Sequence, residues 1–358
     1  MAEPTLAELT TLRVGGPARR VLAPSTPDEL VDAVAGCDAA GEPVLVVAGG
    51  SNLLVADDGF DGTVVLTGGV RGVAHEDVTA CAGAFLTLAA GEPWDAFVAS
   101  CVEQQYVGVE ALSGIPGLAG ATPIQNVGAY GQEVSQTIAR VRTWDRHERR
   151  VRTFSASECG FGYRTSVFKR DAGRYLVLSV SYQLGLGALS APVRYAELAR
   201  RLGVAPGERA ALGAVREAVL ELRRGKGMVL DAADHDTWSA GSFFTNPILT
   251  AEQAAALPQG APRFPAVATP GVEGVRHLGD ELVKTSAAWL IEHAGYSKGY
   301  GTPPATLSTR HTLALTNRGG ATASDLVGLA REIRDGVEAA FGVRLVPEPV
   351  LVGVSLDA

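Results

Sequence analysis

The sequence has few of the residue patterns that mark metal-binding, disulfide-bonded or nucleic-acid-binding proteins. Its four cysteines lie far apart without a Cys-X-X-Cys pair, and its six histidines show neither HxH nor HExxH spacing. We therefore expect no metal site, and we expect reduced, buried thiols. No run of lysine and arginine exceeds a few residues, and the formal net charge is -8. This charge balance argues against a nucleic-acid-binding surface.

Long apolar runs are also missing. No window approaches the roughly 18 consecutive apolar residues of a membrane-spanning helix, so no membrane span is predicted. The amino terminus lacks the basic and apolar segments of a signal peptide, which favours a cytoplasmic location. With 358 residues, 46% of them hydrophobic and 20% charged, the chain is long enough for two or three globular domains.

One apolar segment is rich in glycine: residues 108–131 read GVEALSGIPGLAGATPIQNVGAYG. Its six glycines and two prolines exclude a long helix or a continuous strand. Glycine lets a backbone lie close to a flat ligand, and bare amides can bind anionic groups. A ligand-binding wall and a buried connection between strands both fit this composition.

A second glycine-rich loop follows a predicted buried strand, Val44–Val47. The loop, Gly49-Gly50-Ser51-Asn52, could direct successive amides at a phosphate. It matches neither the GxGxxG dinucleotide pattern nor the P-loop. A phosphate cradle and a simple turn are therefore both open at this stage.

Capping residues and apolar periodicity predict the secondary structure. Thr26 and Glu29 form a predicted capping box before a helix that ends at Gly41, and Thr322 with Asp325 forms another before the last helix. Strands grouped first and helices mixed in later favour an α+β fold over one wound Rossmann sheet, and a composition change places a domain boundary near residues 185–213. Further predicted helices are 94–101 and 211–223, and further predicted strands are 138–145, 149–154, 175–184 and 343–354. The last of these is predicted to be interrupted by Pro347-Glu348-Pro349.

Three positions carry side chains suited to chemistry. Arg164, next to Tyr163 in a glycine-flanked turn, is a fixed cation that can bind a carboxylate or a phosphate through two donors. Ser242 precedes two phenylalanines, a setting that suits a proton donor shielded from water. Glu348 lies between two prolines in the predicted terminal strand, where a buried carboxylate needs a partner. A surface arginine, a hydrogen-bonding serine and an exposed edge-strand glutamate are the structural alternatives.

Several motifs, in order along the chain, resemble those of one enzyme family. GGSNLL, GIPG, PIQNVGAYGQEV, FGYRTSVF, GSFFTNP and PEPV occur within residues 11–353. Together they resemble UDP-N-acetylenolpyruvoylglucosamine reductase (MurB), the flavin-dependent reductase of bacterial peptidoglycan precursor synthesis. Tyr195, in the loop PVRYAEL, indicates the longer, type I class of this family.

The resemblance implies a three-domain α+β flavoprotein. Residues 1–72 and 73–187 would form the two subdomains of an FAD-binding module of the vanillyl-alcohol-oxidase (PCMH) type. Residues 188–342 would form a C-terminal α+β substrate domain. Residues 343–358 would return to the first subdomain as a strand.

The resemblance also implies a non-covalently bound FAD and a catalytic group of three residues. NADPH would supply the hydride, and Ser242 would donate the proton to the substrate. Arg164 and a protonated Glu348 would stabilise the negative charge of the enolate-like intermediate. The residues that match the FAD-contacting loops are Gly49, Gly50, Ser51, Asn52, Leu53, Ile115, Pro116, Gly117, Gln125, Asn126, Gly128 and Ala129.

The substrate implied by the resemblance is a UDP-sugar. Tyr163 would orient it, and Tyr195, Lys226 and Asn246 would hold its UDP portion. Two other functions are possible on the same scaffold: a related FAD-dependent oxidase acting on another substrate, or a non-catalytic nucleotide-sugar-binding protein. The UDP-binding set counts against the oxidase. The presence of Arg164, Ser242 and Glu348 together counts against the non-catalytic protein.

Overall fold

The structure, a computed structural model, describes residues 5–266 and 282–357. The chain divides into two compact units. The first unit comprises residues 1–18, 50–60 and 226–358, and the second comprises residues 19–49 and 61–225. Each unit is therefore built from segments that are distant in the sequence. The three-domain boundaries at residues 72, 187 and 342 stay a prediction.

The described residues form strands and helices in a mixed order, as the α+β prediction requires. The strands are β1 (Ala18–Leu22), β2 (Val44–Val47), β3 (Leu53–Val55), β4 (Phe60–Leu66), β5 (Val73–Thr79), β6 (Gly83–Ala89), β7 (Tyr106–Val107), β8 (Gly128–Ala129), β9 (Gln132–Glu133), β10 (Ile138–Asp145), β11 (Arg150–Ser155), β12 (Tyr175–Leu186), β13 (Ile248–Thr250), β14 (Phe264–Ala266), β15 (Leu282–Lys284), β16 (Gly301–Thr302), β17 (Ala305–Leu307), β18 (Leu315–Asn317) and β19 (Val350–Val352). The helices are α1 (Leu6–Leu9), α2 (Pro27–Ala40), α3 (Trp94–Glu103), α4 (Val167–Arg170), α5 (Ala196–Leu202), α6 (Leu212–Gly225), α7 (Ala251–Ala256), α8 (Ala287–His293) and α9 (Ala323–Phe341).

The larger sheet of the second unit is antiparallel, with the strand order β11-β10-β12-β6-β5. In β10, Val141, Thr143 and Asp145 are buried while the residues between them are more exposed, as expected for one face packed on a core. The predicted extent of β10 is confirmed, and β12 runs two residues further than predicted. Helix α3 buries its predicted apolar face, including Trp94 and Phe97, in the same core as this sheet.

A smaller sheet of the second unit has the order β1-β4-β2, and β2 runs parallel to β4. Helix α2 begins as predicted, because the Thr26 side chain accepts a hydrogen bond from the Glu29 amide. It ends at Gly41, whose φ of 66° is left-handed. The strongest contacts of the Glu29 carboxylate are one residue further back than the predicted capping box places them: it accepts from the amide and the hydroxyl of Ser25, each at 2.8 Å.

The first unit has its own apolar core, to which α8 and α9 contribute. The predicted capping box of α9 is confirmed, since Thr322 and Asp325 bond to each other's backbone amides. The buried stripe of α9 includes Leu326 and Ile333, and it packs in the same cluster as Phe243 and Phe244. The core therefore anchors the segment that contains Ser242.

The terminal strand is shorter than predicted. Of the predicted strand 343–354, only β19 (Val350–Val352) is a strand, and it pairs in parallel with β3. The predicted interruption at Pro347-Glu348-Pro349 is confirmed, because the two prolines have no amide hydrogen for a continuous ladder. The prediction is wrong for residues 343–346, where Val343 and Leu345 pack in the apolar core instead of a sheet, and for residues 353 and 354. Glu348 therefore precedes the strand.

Three further expectations concern thiols, metals and membranes. The cysteines are free thiols; Cys37, Cys101 and Cys159 are buried as predicted, but Cys81 is exposed because it lies in the turn between β5 and β6. Within residues 5–266 and 282–357, no group of three or more His, Cys, Asp and Glu side chains could hold a metal ion. None of the helices in those ranges is both long and apolar enough to cross a membrane.

Candidate active site

Residues 108–131 form a folded loop of the second unit. Across this segment, every residue of which is described, regular structure is limited to two 3-10 turns, Glu110–Leu112 and Ala119–Ala121, and the short strand β8. The predicted lack of a long helix or strand is confirmed. Leu112 and Ala119 are fully buried and pack in the core beside α3, so the loop is held firmly by its apolar side chains.

The structure brings two of the predicted cofactor-binding stretches together within the second unit. A Cβ atom added to Gly49 would lie 2.7 Å from the Cα atom of Gly117, which is closer than real Cβ contacts come. The two backbones therefore cross with no room for a side chain at Gly49. Ile115 and Pro116 lie directly before this crossing and are partly buried. Bare backbone of this kind can lie close to a flat ligand, as the sequence predicts for both stretches.

The rest of the GGSNLL loop belongs to the first unit. Gly50 has a φ of 60°, and a Cβ there would lie 1.8 Å from the Leu9 carbonyl oxygen, so this position requires glycine. Asn52 reaches the terminal segment twice: its side-chain amide donates to the Glu348 carbonyl at 3.3 Å, and its carbonyl accepts from the Val350 amide at 2.9 Å. Ser51 and Leu53, on either side of Asn52, are partly buried.

Thr67 is a further residue of this region that the sequence did not single out. It follows β4, and its amide donates to the Val47 carbonyl at the end of β2. Its hydroxyl is buried and has no hydrogen-bond partner in the described part of the chain. The carboxyl ends of parallel strands in open sheets are common ligand sites. A single threonine after a strand carries no pattern that sequence reasoning could have recognised.

The predicted catalytic residue Arg164 lies in a strained turn of the second unit. Its φ is 53°, a left-handed conformation that is uncommon for a residue with a side chain. Gly162 and Thr165 close the turn with reciprocal backbone hydrogen bonds. The guanidinium donates to the Gly128 carbonyl at 2.9 Å and lies 5.5 Å from the ring centre of Tyr163. The charge of Arg164 is thus directed toward the hairpin formed by β8 and β9.

Asn126 connects the Arg164 turn to that hairpin. Its side-chain amide nitrogen donates to the Gly162 carbonyl at 3.0 Å and to Glu133 at 2.8 Å, and its oxygen accepts from the Ser135 amide. The residue is 1% exposed. The Asn126 side chain therefore fixes the shape of these loops, and its contact with the cofactor stays a prediction. Gln125 beside it and Ala129 in the hairpin are partly buried.

The structure brings Ser242 and Glu348 together in the first unit. The Glu348 amide donates to the Phe243 carbonyl at 2.8 Å, and Phe244 forms an antiparallel bridge with Pro347. Phe243 and Phe244 are 1% exposed and contact each other edge to face at 5.1 Å between ring centres. Two buried aromatic rings therefore fix Ser242 and Glu348 on paired segments.

The predicted substrate-binding residues fall in both units. Tyr195, in the second unit, is 44% exposed, and its ring meets Tyr130 edge to face at 5.4 Å. Burial raises the pKa of Tyr130 to about 12, so its phenol is neutral at physiological pH. In the first unit, the Asn246 side-chain oxygen accepts from the Ala287 amide at the start of α8. Lys226 follows the end of α6. Tyr130 is a contact of Tyr195 that sequence reasoning missed.

Comparisons with known proteins identify first the class and then the family. Residues 18–153 match the FAD binding domain, which places the chain among FAD-binding proteins. Residues 233–352 match the C-terminal domain of UDP-N-acetylenolpyruvoylglucosamine reductase. The proteins of that name from Cutibacterium acnes and Thermobifida fusca are 57% and 56% identical to it over 354 residues. These alignments cover 98% of this chain and 90% and 97% of the two relatives.

The chain belongs to the UDP-N-acetylenolpyruvoylglucosamine reductase family, an oxidoreductase family, as its motifs predicted. A solved structure supports the fold. The crystal structure of the reductase (MurB) from Thermus caldophilus matches with a TM-score of 0.62 and 24% sequence identity. The match covers 98% of this chain and 97% of that one.

Proposed function

We propose that this protein catalyses the NADPH-dependent reduction of UDP-N-acetylglucosamine-enolpyruvate to UDP-N-acetylmuramate, with FAD as cofactor. The observation that carries the proposal is the hydrogen bond between the Glu348 amide and the Phe243 carbonyl. This hydrogen bond joins the segment that contains Ser242, the proposed proton donor, to the segment that contains the carboxyl group of Glu348. The proposal includes a cytoplasmic location and a role in peptidoglycan synthesis, and through it in cell shape, the cell cycle and cell division.

The cofactor-binding part of the proposal rests on features that fit FAD. The glycine-only crossing of Gly49 and Gly117 provides bare backbone, and the buried Thr67 hydroxyl lacks a partner in the described ranges. Both features suit a ligand with a diphosphate and a flat ring system. Bound FAD would supply the transfer of a hydride from NADPH to the enolpyruvyl carbon–carbon double bond.

Three side chains would complete the reduction. The Arg164 guanidinium would bind the substrate carboxylate and stabilise the negative charge that develops as the double bond receives the hydride. The Ser242 hydroxyl would then give its proton to the carbon next to that carboxylate. Glu348 would act in its protonated form, because a charged carboxylate would repel the intermediate. One hydride and one proton together saturate the double bond.

The UDP portion would be held by residues whose chemistry suits it. Lys226 is a compact cation, which suits a diphosphate. The exposed face of Tyr195 offers a ring for stacking, and Tyr163 would orient the substrate from its position beside Arg164. Asn246 is held by its bond to the Ala287 amide, so its position is fixed before a ligand binds.

A visible absorption spectrum tests the proposal. The purified protein, supplied with FAD, should show a flavin spectrum that NADPH bleaches in the absence of oxygen. Adding the enolpyruvyl sugar nucleotide should restore the absorbance and produce UDP-N-acetylmuramate. A protein that stays colourless with FAD would contradict the cofactor assignment. A flavin that is bleached by NADPH but not restored by the substrate would contradict the substrate assignment.

A further inference from the structure

Glu110 is a buried carboxylate that the proposed chemistry does not use. It is 0% exposed, and it lies at the start of the first 3-10 turn of residues 108–131. In the part of the chain that the structure describes, no cation forms an ion pair with it. Three N–H groups bond to it instead, from the Gly108 amide at 2.7 Å, the Ala191 amide at 2.6 Å and the Gln132 side chain at 2.9 Å. A carboxylate only accepts hydrogen bonds, so three convergent donors match its chemistry.

Gln132 completes a closed polar unit with Glu110. Its side-chain nitrogen donates to Glu110, and its side-chain oxygen accepts from the Ala111 amide at 2.8 Å. Gln132 is 8% exposed and belongs to β9, where it pairs with Ala129 of β8. The two buried side chains therefore tie the start of the glycine-rich loop to the hairpin at its end.

This hairpin contacts the guanidinium of Arg164. The Gly128 carbonyl, which accepts from Arg164, lies in β8 opposite Glu133. A Cβ at Gly128 would lie 2.8 Å from the Glu133 side chain and 3.3 Å from the Arg164 guanidinium, so the contact is tight. A displacement of β9 would therefore move the carbonyl that aims Arg164.

Glu110 also reaches the segment that leads to Tyr195. The Ala191 amide bonded to Glu110 lies four residues before Tyr195 in the chain. Next to it, Ser190 is fully buried, and its amide donates to the Ala210 carbonyl at 2.8 Å. One buried carboxylate thus fixes both the hairpin behind Arg164 and the start of the Tyr195 loop.

We propose that Glu110 and Gln132 are positioning residues that set Arg164, and more weakly Tyr195, for reaction with the substrate. The inference rests on the proposed function. Neither side chain would touch the substrate or the cofactor. Both side chains act through backbone groups that position the substrate-binding side chains. Substitution of Glu110 or Gln132 should therefore slow the reaction with the enolpyruvyl substrate more than the reaction with NADPH.

The test compares Glu110→Gln with Glu103→Gln, an exposed glutamate at the end of α3. Glutamine keeps the shape of Glu110 but replaces one carboxylate oxygen with an NH2 group. That NH2 group would face an N–H donor of the cluster, so one hydrogen bond would be lost and two donors would repel each other. In the FAD-loaded variant, we expect flavin reduction by NADPH at close to the wild-type rate. Reoxidation by the enolpyruvyl substrate should slow by roughly tenfold to a hundredfold, the size expected for a misplaced reacting group. Glu103→Gln should leave both rates unchanged.

A second variant keeps the inference testable if Glu110→Gln does not fold. Gln132→Glu places two carboxylates side by side, and the exchange variant with both substitutions restores a carboxylate–amide pair. We expect the exchange variant to recover substrate reduction relative to Gln132→Glu. Equal slowing of both half-reactions, or wild-type rates in Glu110→Gln, would overturn the positioning role. Failure of the wild-type protein itself to turn over would instead contradict the proposed function.

Discussion

The two units hold their proposed catalytic residues by different means. In the first unit, Ser242 and Glu348 are placed by backbone pairing and by the buried rings of Phe243 and Phe244. In the second unit, Arg164 has a left-handed backbone conformation, and its guanidinium is held by a carbonyl of a short hairpin. Besides the apolar contacts of its flanking residues Val127 and Val134, that hairpin is tied to the preceding loop by the buried polar side chains of Glu110 and Gln132.

The difference predicts how each unit responds to substitution. Backbone pairing does not depend on the side chain of Ser242, so that residue can be changed without disturbing the segment that carries it. A polar network depends on every one of its members, because a lost partner leaves a buried donor or acceptor unpaired. Substitutions in the second unit should therefore change structure and chemistry together.

The largest expected effect comes from removing the Ser242 hydroxyl in the first unit. Ser242→Ala should leave flavin reduction by NADPH intact but slow reoxidation by the enolpyruvyl substrate about a hundredfold to a thousandfold. This corresponds to roughly 3–4 kcal/mol of barrier, within the range for a lost general acid. Stopped-flow absorbance of the flavin separates the two half-reactions.

The exposed Ser297 provides the matched control, and Ser297→Ala should match the wild type in both half-reactions. Equal loss of both half-reactions in Ser242→Ala would remove Ser242 from the role of proton donor. A lower free energy of unfolding in the same variant would contradict the idea that backbone pairing alone places this segment.

A buried ion pair tests the polar anchoring of the second unit. The Asp145 side chain is 0% exposed; it accepts from Arg174 at 2.8 Å and from the His147 and Glu148 amides. Asp145→Asn should lower the free energy of unfolding by about 2–3 kcal/mol, because it removes the buried charged partner of Arg174 and leaves it only the more exposed Glu148 at 3.4 Å. Asp61→Asn, in an exposed pair with Arg19, should change it by less than about 0.5 kcal/mol.

The same residue predicts a dependence on pH. Hydrogen bonds from Arg174, with help from the backbone amides, lower the pKa of Asp145 to about 2. Because the pKa is lower in the folded protein, the stabilisation is present above the ordinary pKa of about 4 and is lost as pH falls toward 2. Urea unfolding followed by circular dichroism between pH 2 and pH 5 should show a steeper loss for the wild type than for Asp145→Asn. Parallel curves would contradict this account.

The sequence predicted the elements that local chemistry controls. The extent of β10 and the cap residues Thr26 and Thr322 were correct because alternation and capping act over a few residues. The polar contacts that place Arg164 could not be predicted, since Glu110 and Gln132 are 22 residues apart and their pairing depends on tertiary structure.

The terminal segment shows the same limit. Its apolar composition favoured strands on both sides of Pro347-Glu348-Pro349, but only Val350–Val352, after these prolines, forms a strand. Residues before the prolines pack in the apolar core instead, and that choice depends on tertiary structure. The hydroxyl of Thr67 is unusual only because it is buried, and burial is not visible in a single sequence. The glycines are an intermediate case: the sequence indicated close approach at Gly49 but not that Gly117 would be its partner.

The smallest expected effects come from the glycine that ends a helix, which occurs in both units. Gly41 ends α2 in the second unit and Gly342 ends α9 in the first, each with a φ of 66° and no atom within 4 Å of an added Cβ. Alanine at either position should lower the free energy of unfolding by about 1 kcal/mol. The added methyl group meets no neighbouring atom, so the cost comes only from the left-handed backbone conformation, which alanine disfavours. The effect should be similar in the two units, because a helix end is a local structure.

Glycines inside the same two helices provide controls of opposite sign. Gly36 in α2 and Gly328 in α9 are exposed, and an added Cβ would meet nothing within 4 Å at either. Gly36→Ala and Gly328→Ala should raise the free energy of unfolding by about 0.5–1 kcal/mol, because alanine favours the helix over the unfolded chain. Chemical denaturation of the four variants measures both signs. The loss of unfolding free energy should be similar for Gly41→Ala and Gly342→Ala. If one loss were several times larger than the other, the end of that helix would depend on the tertiary contacts of its unit and not on local structure alone.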